Sequence, residues 1–103
     1  MIPKTFLDFK EKFPEIIEYY DKLADKTHTI GPLDDKTRRL IKLTYAIAIG
    51  SEGGTHAQVR KALKNAISEE EIYQTVLLGL TTIGFPRTHA AFTWVNDVLY
   101  KKK

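Results

Sequence analysis

His56 stands four residues after Glu52, a spacing that places an imidazole and a carboxylate side by side on one face of a helix. Imidazole is the side chain best suited to moving protons near neutral pH, and a neighbouring carboxylate can orient it. His89 offers a second imidazole near the C-terminal end of the chain. Glu52, His56 and His89 are therefore the candidates for proton transfer; the competing reading is an ordinary exposed Glu–His pair and a surface or core histidine. A second group of residues suits an anion. Arg39 carries a fixed positive charge, and Ser51, Gly53 and Gly54 fall at a helix start, where free backbone N–H groups attract negative charge. Glycines there let a ligand approach the backbone closely. With Gln58 one turn further on, these residues make a candidate carboxylate site; the competing reading has Arg39 facing solvent beside Arg38. A metal would take Glu52 and His56 as two ligands, with His89 as a third. Nothing in the sequence brings His89 to them, so no metal site is assigned.

Composition removes several classes of function. The chain of 103 residues has no cysteine, which excludes thiolate nucleophiles, disulfides and cysteine-held metals together. The formal charge is +3, and setting aside the terminal Lys101, Lys102 and Lys103 leaves zero. No basic patch interleaved with aromatic residues stands out, so nucleic acid is not an expected partner. No apolar run is long enough to cross a bilayer and no secretory pattern opens the chain, so a cytoplasmic protein without a membrane partner is expected.

The elements that must position these residues read as helices throughout. Thr5 is a candidate cap for a short first helix with Phe6, Phe9 and Phe13 on one face. Pro14 opens a second carrying Ile16, Tyr20 and Leu23, and Lys26 to Leu33, with Gly31 and Pro32, reads as a loop. Asp34 caps a third helix to about Ile49, ended by Gly50. Ser51 caps a fourth, through about Asn65, with Val59, Ala62, Leu63 and Ala66 inward. Ser68 and Glu71 form a capping box for a fifth, which the pattern Ile72, Val76, Leu80 and Ile83 carries up to Gly84. Pro86 starts the sixth, lined by Ala91, Val95 and Val98. Thr81, Thr82 and Thr93 are expected to bond back to their own helices, and Tyr45 and Tyr73 to serve packing before chemistry.

These spans predict an all-α bundle of about six helices in a single domain: helices and a loop over 1–32, a core over 33–100 and a basic tail over 101–103. The third helix is apolar on most sides, and the large rings Phe6, Phe9, Phe13, Tyr19, Tyr20, Trp94 and Tyr100 exceed what one small bundle buries. A homo-oligomer is expected.

The order of several segments carries a resemblance: Leu33-Asp34-Asp35-Lys36-Thr37-Arg38-Arg39-Leu40-Ile41, Ala46-Ile47-Ala48-Ile49-Gly50, Ser51-Glu52-Gly53-Gly54, Val59-Arg60-Lys61-Ala62-Leu63, Ser68-Glu69-Glu70-Glu71-Ile72 and Leu80-Thr81-Thr82-Ile83-Gly84-Phe85-Pro86. From Leu33 to about Leu99 the chain resembles the carboxymuconolactone decarboxylase / alkylhydroperoxidase-D-like family. That resemblance implies helical hairpins assembled as trimers or hexamers. In the family's peroxidase branch a Cys-x2-Cys-x3-His motif works with a Glu one helix earlier. Those positions fall here on Ser51, Gly54, Gln58 and Arg39, so a self-contained thiol peroxidase is not expected. In the decarboxylase branch, which uses no metal or organic cofactor, the proton-transfer His again falls on Gln58. His56 lies about 200° around the helix from it. Ala66 stands where relatives often place a helix-ending Gly, with Asn65 as the alternative for the left-handed turn. Two functions remain open: a cofactor-independent lyase or isomerase of a small organic acid, and a non-catalytic oligomeric binding or structural protein.

Overall fold

A computed structural model describes residues 2–100, so the basic tail at 101–103 lies outside the described residues. Six helices and no strand are present among them: α1 Lys4–Lys12, α2 Pro14–Thr29, α3 Asp35–Ala48, α4 Glu52–Lys64, α5 Glu69–Leu77 and α6 Phe85–Leu99. The chain divides into two compact units, Met1–Pro32 and Leu33–Lys103.

In the first unit α1 and α2 form a hairpin. Phe13 ends one helix, its N–H bonding to the Phe9 carbonyl, and Pro14 opens the next at a position where its missing N–H costs nothing. The Phe9 and Phe13 rings lie 5.1 Å apart. Two local expectations are corrected. Thr5 lies inside α1, and Pro3 occupies the cap position without a side-chain hydrogen bond. The span read as a loop from Lys26 is helical through Thr29; Thr27 and Thr29 direct their hydroxyls to the carbonyls of Ala24 and Asp25. The helix yields only before the left-handed Gly31. Ile17 is the one buried residue of these two helices, while Phe6, Phe9, Phe13, Ile16, Tyr19, Tyr20 and Leu23 stay exposed.

The second unit holds the core. Leu43 and Ile47 from α3, Val59 and Ala62 from α4, Ile72 and Val76 from α5, and Ala91 and Val95 from α6 form one buried cluster with Ile67. The starts of α3, α4 and α5 carry the side-chain caps the sequence calls for. Asp34 accepts from the Thr37 N–H and Ser51 from that of Gly54, and Ser68 and Glu71 close a full capping box. Gly50, at φ 78°, ends α3 in the left-handed conformation. The Ser51 N–H then reaches back to the Ala46 carbonyl and that of Gly50 to Ile47, which satisfies the end of the helix.

One open alternative is decided here, and two further expectations give way. Ala66, and not Asn65, takes the left-handed position after α4, at φ 65°. Bonds from Ile67 N–H to Ala62 and from Ala66 N–H to Leu63 close the same motif as at Gly50. Burying Ile67 within the core outweighs the backbone cost at Ala66. Leu63 and Ala66 are exposed, so the inner face of α4 is Thr55, Val59 and Ala62. Finally, α5 stops at Leu77, and residues 78–83 form tight turns closed by bonds such as Thr82 N–H to the Gly79 carbonyl. Gly79 is the weakest helix former in the segment, and two β-branched threonines follow it.

Candidate functional site

Among the described residues of the second unit, two cavities stand out. One, of about 410 Å³, lies along α3 and α5 and is lined by Leu40, Ile41, Thr44, Ala48, Thr75 and Thr82 among others. Its four threonines have spent their hydroxyls: Thr44 bonds to the Leu40 carbonyl, Thr75 to Glu71, Thr82 to Leu78, and the Thr37 side chain to the Asp34 carboxylate. What remains is an apolar groove with little means of orienting a ligand.

The other cavity, of about 590 Å³, lies between α5, the following turns and α6. Val76, Leu77, Leu80, Phe85 and Phe92 give it apolar walls, and Tyr73, Thr88, His89 and Tyr100 bring polar groups to it. A mostly apolar cavity with a few convergent polar groups is the usual form of a small-molecule site. Thr88 is 7% exposed, and its Oγ1 is buried without a hydrogen-bond partner. Other helical threonines behave differently, since Thr93 of the same helix bonds back to Ala90 and Thr55 of α4 to Ser51. Tyr73 Oη donates to Asn96 Oδ1 at 2.5 Å, and its ring meets Phe92 at 5.8 Å. Burial, and next the Tyr100 hydroxyl, pushes the Tyr73 phenol up to about 12, so it stands at the cavity as a neutral group. His89 sits against Phe85, ring centres 5.7 Å apart.

The acid–base candidates separate. His89 lines the α5–α6 cavity. His56, on α4, instead pairs with Asp97 of α6, with Nε2 and Oδ2 2.9 Å apart. Glu52 lies in the same cluster, the ligating atoms of all three residues falling within 4.8 Å of one another. Asp97 escaped the sequence reading. It is 41 residues from His56, and only the packing of α4 on α6 brings them together. Thr88 escaped it as well, because an unspent hydroxyl leaves no mark on sequence spacing, and so did the place of Tyr100 beside Tyr73.

The anion candidates are arranged locally. Arg39 is half-buried, and its Nε donates to Asp35 Oδ2 at 2.8 Å, one turn back on α3. Ser51 caps α4 by accepting the Gly54 N–H at 2.9 Å, which engages one of the two glycine amides. A Cβ on Gly54 would fall 2.6 Å from Ser51 Oγ, whereas one on Gly53 would meet nothing within 4 Å. Gln58 is half-buried, one turn beyond Gly54 on α4. Arg39 stands nine residues before the end of α3, so at 1.5 Å per residue its backbone is about 14 Å along the helix from the Ser51 end. Close to Ser51, the cation is Arg87 of α6, whose Nη1 donates to the Ala48 carbonyl at 2.7 Å and that of Ile47 at 3.3 Å.

No helix among the described residues is long and apolar enough to cross a membrane. In the crystal, a carboxymuconolactone decarboxylase family protein of Legionella pneumophila has a similar fold, with a TM-score of 0.79 over 97% of this chain and 89% of its own, at 22% identity. An uncharacterised protein of Methanocaldococcus jannaschii is 33% identical over 93 residues, which cover 89% of this chain and 86% of the relative. The model of the carboxymuconolactone decarboxylase family matches residues 14–97. With that span matched, the chain belongs to the carboxymuconolactone decarboxylase family, as a member without cysteine.

Proposed function

We propose that this protein binds a small, largely apolar organic acid or lactone in the cavity between α5 and α6, as a cytoplasmic lyase or isomerase with His89 as its proton-transfer group. The observation that carries this reading is the pairing of apolar walls with one unspent polar group, the His89 imidazole, in a 590 Å³ cavity. A carboxylate entering apolar surroundings needs a donor, because an unpaired buried charge is costly. A His89 ring N–H supplies one, and its second ring nitrogen is the proton acceptor. An isomerisation in which a proton leaves one carbon and returns to another needs a single group of this kind. Titration with small carboxylates and lactones, followed by thermal melting, tests the reading. A rise in Tm that is lost in His89→Ala is expected. No rise at millimolar ligand overturns it.

A second reading, assembly without catalysis, draws on a separate observation. Tyr45 and Ile49, at the end of α3, are 67% and 77% exposed, and the α1–α2 hairpin leaves most of its rings uncovered. Such faces are usually covered by another chain, and a second copy of this one is the partner we propose, in a trimer or hexamer.

A further inference from the structure

We infer that Glu52, His56 and Asp97 form a binding site for a divalent first-row transition metal, separate from the α5–α6 cavity. Three donors of suitable chemistry converge: one imidazole nitrogen and two carboxylates, with the ligating atoms within 4.8 Å of one another. Imidazole suits metals such as zinc, copper or iron, whereas magnesium and calcium favour all-oxygen sites. Two carboxylates balance the charge of a divalent ion.

The geometry already approximates one edge of a coordination sphere. Ligands about 2.1 Å from a metal are separated by ~3.0 Å at an octahedral edge and ~3.4 Å at a tetrahedral one. His56 Nε2 and Asp97 Oδ2 stand 2.9 Å apart. The ion would take the place of the proton that this pair shares. Glu52, one turn before His56 on the same face and exposed, needs only a side-chain rotation to complete the set.

The backbone that carries these donors is held firmly. Thr55, next to His56, is fully buried, and its hydroxyl bonds to the Ser51 carbonyl. Val95, two residues before Asp97, is fully buried in the core. α4 and α6 pack directly on each other, so the register between His56 and Asp97 is fixed by the core. Three protein ligands leave further coordination positions to water, as in a site able to exchange ligands.

Calorimetric titration of the chelator-treated full chain with zinc chloride tests this. One saturable site per chain is expected, with affinity weakened roughly tenfold or more in each of Glu52→Gln, His56→Gln and Asp97→Asn. Manganese added to the unaltered chain should broaden NMR signals around residues 52, 56 and 97 before others, a readout that requires no variant to fold. Absence of saturation by 1 mM zinc, undiminished binding in Asp97→Asn, or broadening centred elsewhere would each overturn the assignment.

Discussion

Arg87 Nη1 lies 2.7 Å from the carbonyl oxygen of Ala48, the last residue of α3, so α6 caps a helix that ends almost forty residues earlier in the chain. The guanidinium also covers Gly50, where a Cβ would come within 2.9 Å of Nη1. Gly50 needs its left-handed backbone, and Arg87 needs the space above it. Gly50→Ala should cost roughly 1–2 kcal/mol from the backbone alone and more by displacing Arg87. Arg87→Ala should cost about 2 kcal/mol, in the range of a lost charge-assisted hydrogen bond. A double-mutant cycle by urea denaturation should show Gly50→Ala costing less when Arg87 is already absent. Strict additivity would mean that the two residues do not share this contact.

Ala66 pays for a left-handed backbone that glycine adopts freely. Ala66→Gly should therefore stabilise the protein by about 0.5–1 kcal/mol, the relieved strain being partly offset by the more flexible unfolded chain. The midpoint of denaturation should rise with an unchanged m-value. A fall would show that the turn tolerates Ala66 without strain.

Glu71 ties α5 to α3. Its carboxylate accepts from Lys36 Nζ at 2.8 Å and from the Ser68 N–H at 2.9 Å. The Lys36 bond first, and then the Ser68 backbone, hold the Glu71 carboxyl below its ordinary 4.5. A depressed carboxyl contributes its stability above the unfolded value, and the contribution is lost as pH falls through the folded one. Tm should be flat just above pH 4.5 and drop below it, and Glu71→Gln should shrink that drop. Asp34, lowered chiefly by its cap bond from the Thr37 N–H, acts in the same direction.

Tyr73 reports at the alkaline end. A phenol raised to about 12 is favoured neutral in the fold, so its contribution is complete below pH 10 and is lost as pH rises toward 12. Ultraviolet titration of the five tyrosines should show a late component near pH 12 that is absent in Tyr73→Phe. A native protein whose tyrosines all ionise together near pH 10 would contradict the burial of this hydroxyl.

Self-association has a direct measurement. Light scattering after size exclusion should give a mass that is a multiple of 11.8 kDa. Tyr45→Glu with Ile49→Lys should lower it, because both side chains lie on exposed helix surface. A monomer at all concentrations would remove the assembly reading.

The fold was legible wherever a local rule decides it. Asp34, Ser51 and Ser68 each cap the helix their spacing announced, because an N-cap is a bond between residues two or three apart. Helix ends were less legible: α2 runs past His28 and α5 stops before Leu80, each decided by weak propensities that tertiary packing overrides. The sites were legible only in part. Glu52 with His56 is a same-face pair visible in sequence, but Asp97 joins them through the α4–α6 contact. Thr88 became notable only because its hydroxyl, unlike those of Thr82 and Thr93, found no carbonyl.

The junction between α3 and α4 has a kinetic consequence. Gly50 closes one helix, and the next residue, Ser51, already caps the other, so no slack separates them. Bringing the two helices together requires closing almost no loop, and their contacts are near neighbours in sequence. Local contacts form early because little chain entropy is lost before they pay back. This hairpin is thus the natural nucleus of the second unit. The contacts of α6, Arg87 on Ala48 and Asp97 beside His56, come after it, so the distant halves of both arrangements assemble on a surface that is already in place.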